Sequence, residues 1–193
     1  MDKRSFMGAA LGVAALPGLA QGNAARGTRG PALLTVTGQG VKANRGPFDP
    51  VRDQMMAKQK LSFTSAHAFD FGTLAALRPT TIEPTLEYDN QRHKLSGPLL
   101  TDVLRAAGVA GLDGKLAMRA VDGYAPTITL ADVARYRFIV ATHLDGQPMP
   151  LGGLGPLWAV YEADRFADMA AKPVDQRFAS CPWGLYHIDV QAS

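Results

Sequence analysis

Short apolar runs, separated by turn-forming residues, recur along most of this chain. Runs rich in β-branched and aromatic residues predict strands over residues 33–37, 80–88, 116–121, 127–130, 138–142, 157–161 and 185–190. Apolar residues at helical spacing predict helices over residues 51–60, 69–77 and 97–108, the last with Pro98 in its first turn and Gly108 as its C-terminal cap. Strands outnumber helices without regular alternation, which predicts a mixed α+β fold of twisted β-sheets with a few short helices.

The first segment has the pattern of an export signal. Lys3 and Arg4 precede an apolar run over residues 6–16, which is followed by Pro17 and several small residues. The run is shorter than the about 20 apolar residues that span a bilayer. It therefore favours a cleaved signal peptide over a membrane anchor.

This pattern sets the expected division of the chain. We expect a signal peptide over residues 1–25, a flexible lead-in over residues 26–32 and a single domain over residues 33–193, located in the periplasm. Residues 3–7 resemble a twin-arginine export signal with lysine in the first basic position. Both twin-arginine export and general secretion remain open.

The charge distribution and the cysteine count limit which kinds of partner and metal site the folded part can have. The 193 residues include 20 Lys and Arg and 17 Asp and Glu, a formal net charge of +3. Six of these basic residues but only one acidic residue lie within residues 1–45, so the rest of the chain has no basic excess. This disfavours nucleic-acid binding by the folded part. Cys181 is the only cysteine, which excludes an internal disulfide and any multi-cysteine metal site.

Five motifs follow one another in a recognisable order. They are SGPLLTDVL at residues 96–104, DGY at 122–124 with ITL at 128–130, LDGQPMP at 144–150, GPLW at 155–158 and WGLYHIDV at 183–190. Together, over residues 33–190, they resemble the motifs of the molybdopterin-binding domain of sulfite-oxidase-like oxidoreductases. The resemblance implies a compact mixed α+β fold with a pterin pocket at the loop ends.

One departure from this family pattern concerns the metal ligand. Catalytic members carry a cysteine, whose thiolate binds molybdenum, in the loop that corresponds here to residues 87–93. That segment reads EYDNQRH, and Cys181 lies where the family does not supply the ligand. Trp158 replaces the arginine that follows Gly-Pro-Leu in many of the enzymes. We therefore expect a retained pterin-binding fold with no molybdenum cofactor and no catalytic or metal-ligating residue.

The candidate pterin-binding residues are Trp183, Asp122, Tyr124, Tyr88, Cys181 and Arg92. Trp183 offers an aromatic face for stacking or belongs to the core. Asp122 offers a carboxylate to the amino and ring N–H edge of a pterin, or it only shapes a turn.

The remaining candidates also leave alternatives open. Any of three other acidic residues can serve the pterin edge instead: Glu83, Glu87 or Asp89. Cys181 is a reactive thiol, a weak donor in the pocket or a small buried hydrophobic residue. Arg92 binds a phosphate or a dihydroxypropyl tail, or it is solvated.

Three functions from different classes follow. The first is an exported protein that senses a free, reduced (tetrahydropterin-like) pterin and signals, without redox catalysis, to a membrane partner. The resemblance implies that this partner is the periplasmic domain of a membrane diguanylate cyclase/phosphodiesterase. The second is a molybdopterin-dependent oxidoreductase of the sulfite-oxidase superfamily, and the third is an interaction module with a vestigial pocket.

Overall fold

The structure, a computed structural model, describes residues 30–111 and 113–192. The expected signal peptide and the first part of the expected lead-in lie outside these residues. The strands are β1 (Leu34–Gly38), β2 (His67–Phe69), β3 (Pro79–Ile82), β4 (Leu95–Pro98), β5 (Lys115–Ala120), β6 (Thr127–Thr129), β7 (Ile139–Ala141), β8 (His143–Leu144), β9 (Gln147–Pro148), β10 (Trp158–Val160) and β11 (Leu185–Gln191). The helices are α1 (Gln54–Lys58), α2 (Phe71–Ala75), α3 (Leu100–Ala106), α4 (Leu130–Arg135) and α5 (Ala167–Ala170), with 3-10 turns at Ala163–Arg165 and Val174–Gln176.

A five-stranded sheet has the strand order β2-β1-β11-β5-β6. β1 runs parallel to β11, so the first and last strands of the described chain lie side by side, while the other pairings are antiparallel. Val36, Ile188 and Met118 are neighbours in the register and are fully buried. The alternation of apolar and polar residues along β1 thus places one face of this sheet on the core.

Two smaller sheets complete the core. β3, β4, β8 and β9 form an antiparallel sheet, and β7 pairs with β10. β4 passes close to β7, since a Cβ atom on Gly97 would lie 1.9 Å from the Val140 carbonyl oxygen. Only glycine allows this approach of two backbones. Trp158 and Tyr161 are almost fully buried in the single core cluster.

These elements confirm the mixed α+β fold class, although several bounds differ from the predicted ones. The predicted helix over residues 97–108 is divided: Pro98 belongs to β4, and α3 begins at Leu100 because the preceding segment pairs with β3. Gly108 ends α3 at a φ of 94°, as predicted. In the predicted helix over residues 69–77, Asp70 instead caps α2 by accepting the Thr73 N–H at 2.7 Å.

The predicted strand over residues 80–88 is also shorter. β3 ends at Ile82, and the chain then turns back through an isolated bridge between Thr85 and Arg92. The predicted strand over residues 127–130 continues into α4, since the Thr129 hydroxyl caps that helix at the Asp132 N–H. Within the described part of the chain, no helix has the length and apolar character needed to cross a membrane.

Candidate functional site

The segment from Phe178 to Gly184, the 178–184 loop, leads into β11 and is fixed by backbone hydrogen bonds. The Pro182 carbonyl accepts the Ala159 N–H at 3.2 Å, and the Gly184 carbonyl accepts the Val121 N–H at 3.0 Å. The loop is therefore tied both to β10 and to the turn that contains the DGY motif.

Three exposed aromatic side chains surround this loop. Trp183, Tyr124 and Tyr88 are 37%, 49% and 54% exposed, respectively. The Tyr124 hydroxyl donates to the carbonyl of Ala179 within the loop. The Tyr88 ring centre lies 6.5 Å from that of Trp158, whose backbone forms a bridge with Trp183. The structure thus brings three predicted site residues from distant parts of the sequence to one loop.

The thiol of Cys181 lies beneath the surface of the same loop. Cys181 is 4% exposed and belongs to the hydrophobic core. Burial raises the pKa of this thiol well above its usual range. A hydrogen bond from the Tyr161 backbone lowers the pKa in part, and the nearby Glu87 carboxylate raises it further. Cys181 is therefore a neutral thiol at physiological pH. This state agrees with the interpretation of Cys181 as a small buried hydrophobic residue.

The acidic candidates are separated by their surroundings. Asp122 accepts the Tyr124 N–H at 2.9 Å, an Asx turn that fixes the DGY motif and occupies one carboxylate oxygen. Burial raises the pKa of Tyr88 to about 12, and the adjacent Glu87 is the next cause. Glu87 is half-buried beside both Tyr88 and Cys181. Glu87 is thus linked to the loop through Cys181, and Asp122 is linked to it through Tyr124.

The other two acidic candidates have different surroundings. The side chain of Asp89 accepts a hydrogen bond at 2.8 Å from Nε2 of His93, whose Nδ1 lies 2.7 Å from the carboxylate of Asp145. Glu83 is exposed, and its carbonyl oxygen accepts from Nε of Arg92. Sequence reasoning left the choice among the acidic residues open because spacing along a strand does not reveal which carboxylate faces the loop.

Arg92 is the predicted site residue whose contacts lead away from the loop. Besides its bond to Glu83, its guanidinium lies 3.7 Å from the carboxylate of Glu162 and is 61% exposed. No hydrogen bond or ion pair joins Arg92 to the 178–184 loop within the described residues. The structure therefore groups five of the six predicted residues and leaves Arg92 at the edge of this group.

The exposed rings of the site lie outside five of the cavities in the described part of the chain. These cavities have volumes of about 320 to 570 Å³, and their lining residues include none of the six candidates and none of the 178–184 loop.

Comparison with known proteins gives a distant similarity in fold. No family model matches the chain, and no curated protein matches it in sequence. Among solved structures, it superposes on the crystal structure of the sulfane dehydrogenase SoxCD from Paracoccus pantotrophus with a TM-score of 0.54 and 13% identity. The match covers 83% of this chain and 38% of that one, so the chain spans well under half of the dehydrogenase. The similarity shows the fold alone, and it supports a distant relation to a molybdopterin-related fold.

The thiol of Cys181 is not presented as a metal ligand in this structure. A thiolate ligand must reach the metal, whereas Cys181 is 4% exposed and packed in the hydrophobic core. In the part of the chain that the structure describes, no group of three or more His, Cys, Asp and Glu side chains is arranged to hold a metal ion.

Proposed function

We propose that this chain is an exported protein that binds a free, reduced pterin and signals its presence to a membrane protein, without redox chemistry of its own. One observation carries the proposal: exposed aromatic rings and two carboxylates gather around the 178–184 loop. The resemblance of the five sequence motifs to a molybdopterin-binding domain supplies the ligand class.

The chemistry of a pterin matches this arrangement. Its bicyclic ring presents a flat π face, and its pyrimidine edge presents an amino group beside a ring N–H. Trp183 provides an exposed face for stacking, which is worth more than its contact area alone. Glu87 provides two oxygen acceptors for the two donors of the edge, or Asp122 provides the carboxylate oxygen that does not accept the Tyr124 N–H. Tyr88 and Tyr124 then flank the ring.

The burial of Cys181 is the observation that favours this proposal over a molybdopterin oxidoreductase. The fold similarity to sulfane dehydrogenase is the observation that favours such an enzyme. Redox catalysis of that kind needs a soft ligand to fix the metal, and Cys181 is packed within the core. Metal analysis of protein from a molybdate-fed host distinguishes the two, since stoichiometric molybdenum would support the oxidoreductase and contradict our proposal.

The binding step is tested on the whole exported protein. A small molecule released on denaturation is expected to have the mass and absorbance of a pterin. Tetrahydrobiopterin should then bind the ligand-free protein in calorimetric titrations more tightly than its oxidised form, biopterin. Release of no pterin, together with no binding of either compound, would contradict the proposal.

Variants locate the site. Trp183→Ala should lose stacking and contact area with the pterin ring. Asp122→Asn and Glu87→Gln test which carboxylate accepts hydrogen bonds from the pyrimidine edge of the pterin. Loss of the carboxylate that pairs with the ligand should weaken binding about 5- to 150-fold, because donors of the ligand are left without acceptors. Asp175→Asn, an exposed substitution outside this group, is the matched control. If the Trp183 variant and both carboxylate variants fold and bind tetrahydrobiopterin like the parent, the site lies elsewhere.

The signalling step has its own test. The proposed partner is the periplasmic domain of a membrane diguanylate cyclase/phosphodiesterase, as the sequence resemblance implies. Its purified periplasmic domain should bind the pterin-loaded and pterin-free chain with different affinities. Equal affinities, measured with a chain that does bind a pterin, would overturn the signalling step and leave the binding step intact.

A further inference from the structure

A second group of polar side chains lies on the outer face of the four-stranded sheet. Thr81, Ser96 and His143 are cross-strand neighbours on β3, β4 and β8, so their side chains share one face. Lys94 lies on the same face of the chain two residues before Ser96. All four residues line a cavity of about 570 Å³.

The walls of this cavity are largely apolar. The residues that form them are Leu74, Ala75, Leu77, Pro79 and Pro98, from α2 and the ends of β3 and β4. A volume of this size is typical of sites for small organic ligands. None of the six candidate pterin residues lines it, so the cavity is separate from the surface around the 178–184 loop.

Four polar groups of the cavity have no hydrogen-bond or ion-pair partner within the described residues. This holds for the Lys94 ammonium, the hydroxyls of Thr81 and Ser96, and Nε2 of His143. The other ring nitrogen of His143 lies 2.8 Å from the Thr142 hydroxyl, which fixes the ring. Thr81 and Lys94 are exposed and Ser96 and His143 are half-buried, so water solvates these groups and a ligand with matching polar atoms can replace it.

The charges favour an anion. Lys94 offers only hydrogen-bond donors, and no described carboxylate lies within 4 Å of its ammonium group. The nearest lining carboxylate, Asp145, already accepts the Lys94 backbone N–H at 2.9 Å and is paired with His93 at 2.7 Å. Both oxygens of the Asp145 carboxylate are therefore occupied by hydrogen-bond donors, whereas the Lys94 ammonium is left for a ligand.

We propose that this cavity binds a small organic carboxylate, with the carboxylate on Lys94, Ser96 and Thr81 and an apolar body against Leu74 and Leu77. The hydroxyls of Ser96 and Thr81 donate to the carboxylate oxygens, and the ammonium adds a charge-assisted hydrogen bond. This inference is independent of the proposed pterin site.

The test uses the full chain and three simple probes. Benzoate should bind saturably and shift the amide NMR signals of residues 94–97 and 142–146, whereas the neutral benzamide and the cationic benzylamine should bind much more weakly. Inorganic phosphate, which lacks an apolar body, should also bind weakly. Equal binding of benzoate and benzamide would overturn the role of the charge, and equal binding of benzoate and phosphate would overturn the role of the apolar wall.

Two variants identify the residues. Lys94→Met removes the charge at an exposed position and should weaken benzoate binding about 10- to 100-fold. Lys115→Met, an exposed lysine on β5, is the matched control and should bind like the parent. Melting curves check that both variants fold. If the folded Lys94 variant binds benzoate like the parent, or if the benzoate-induced NMR shifts map to other residues, the proposal is wrong. If the variant loses benzoate binding while its pterin binding is unchanged, the two sites are separate.

Discussion

The indole Nε1 of Trp158 donates a 2.9 Å hydrogen bond to the backbone carbonyl of Cys181, and both groups are buried. This bond fixes the middle of the 178–184 loop to β10. The resemblance of the GPLW motif implies that Trp158 corresponds to an arginine of many sulfite-oxidase-like enzymes, and in this structure the side chain is a neutral, bulky donor. The surface formed by Trp183 and Tyr88 therefore rests on this buried indole.

Trp158→Phe tests that relationship. The Cys181 carbonyl would be left buried without its donor, which we expect to destabilise the protein by about 1–3 kcal/mol in addition to the loss of packing. Urea unfolding measures this difference, and Trp183→Phe at the surface is the control with a smaller effect. Unchanged stability of the Trp158 variant would show that the hydrogen bond does not hold the loop.

Cys181 should be unreactive in the folded protein. Its burial and raised pKa keep the thiolate population low at pH 8, and the thiol is inaccessible to a bulky reagent. A colourimetric disulfide reagent should modify it slowly in buffer and within the mixing time in urea. Rapid stoichiometric modification of the native protein would contradict the buried position of this side chain.

His93 should be charged over a wider pH range than an ordinary histidine. Hydrogen bonds to Asp145 and Asp89 raise its pKa above 6.5, and the same bonds lower the pKa of both carboxyl groups below 3.8. Its contribution to stability is therefore full below pH 6.5 and is lost as the pH rises through the raised pKa of the folded state. At acidic pH, this contribution to stability is lost as the Asp89 and Asp145 carboxylates are protonated.

The measurement for His93 is a comparison of melting temperatures. The difference between the parent and His93→Gln should be largest near pH 6 and should shrink above the folded pKa, which NMR titration of the imidazole provides. A difference that grows with pH would have the opposite sign to this prediction.

His187 should behave in the opposite way. Burial lowers its pKa to about 4, with Arg119 contributing and Asp189 opposing. The Thr37 hydroxyl donates to Asp189 at 3.0 Å and lies 2.9 Å from Nε2 of His187, so the neutral ring donates to Thr37. Because the unfolded state binds a proton first, stability should fall by up to about 3 kcal/mol between pH 6.5 and 4.

NMR titration of the His187 ring in the folded protein measures this pKa directly. Between pH 6.5 and 4, His187→Gln should flatten the fall in stability relative to the parent, whereas His93→Gln should not. A folded-state pKa near 6.5 for His187 would contradict the prediction.

Removal of the first 20 to 25 residues on export follows from the charged head and short apolar run. N-terminal sequencing of periplasmic protein should begin between Gln21 and Gly27. An intact Met1 in the membrane fraction would indicate an anchor instead.

The sequence by itself determined the fold class and most strands. Alternation along β1 and β11 and the cap at Gly108 are local patterns, and local patterns are readable because each residue's neighbours in the chain decide them. The division of residues 97–108 into β4 and α3 was not readable, since Pro98 fits both a helix start and a strand edge. Pairing with β3 decided between them.

Only the tertiary structure decided the chemistry of the candidate residues. Glu83, Glu87 and Asp89 are equivalent in sequence, yet they differ in burial and partners because the turn after β3 directs Glu87 towards Cys181 and Asp89 towards His93. The same holds for Lys94, Ser96 and His143, which sequence reasoning did not connect. Cross-strand register brings them to one cavity, and register depends on contacts between residues far apart in the chain, to which no local pattern refers.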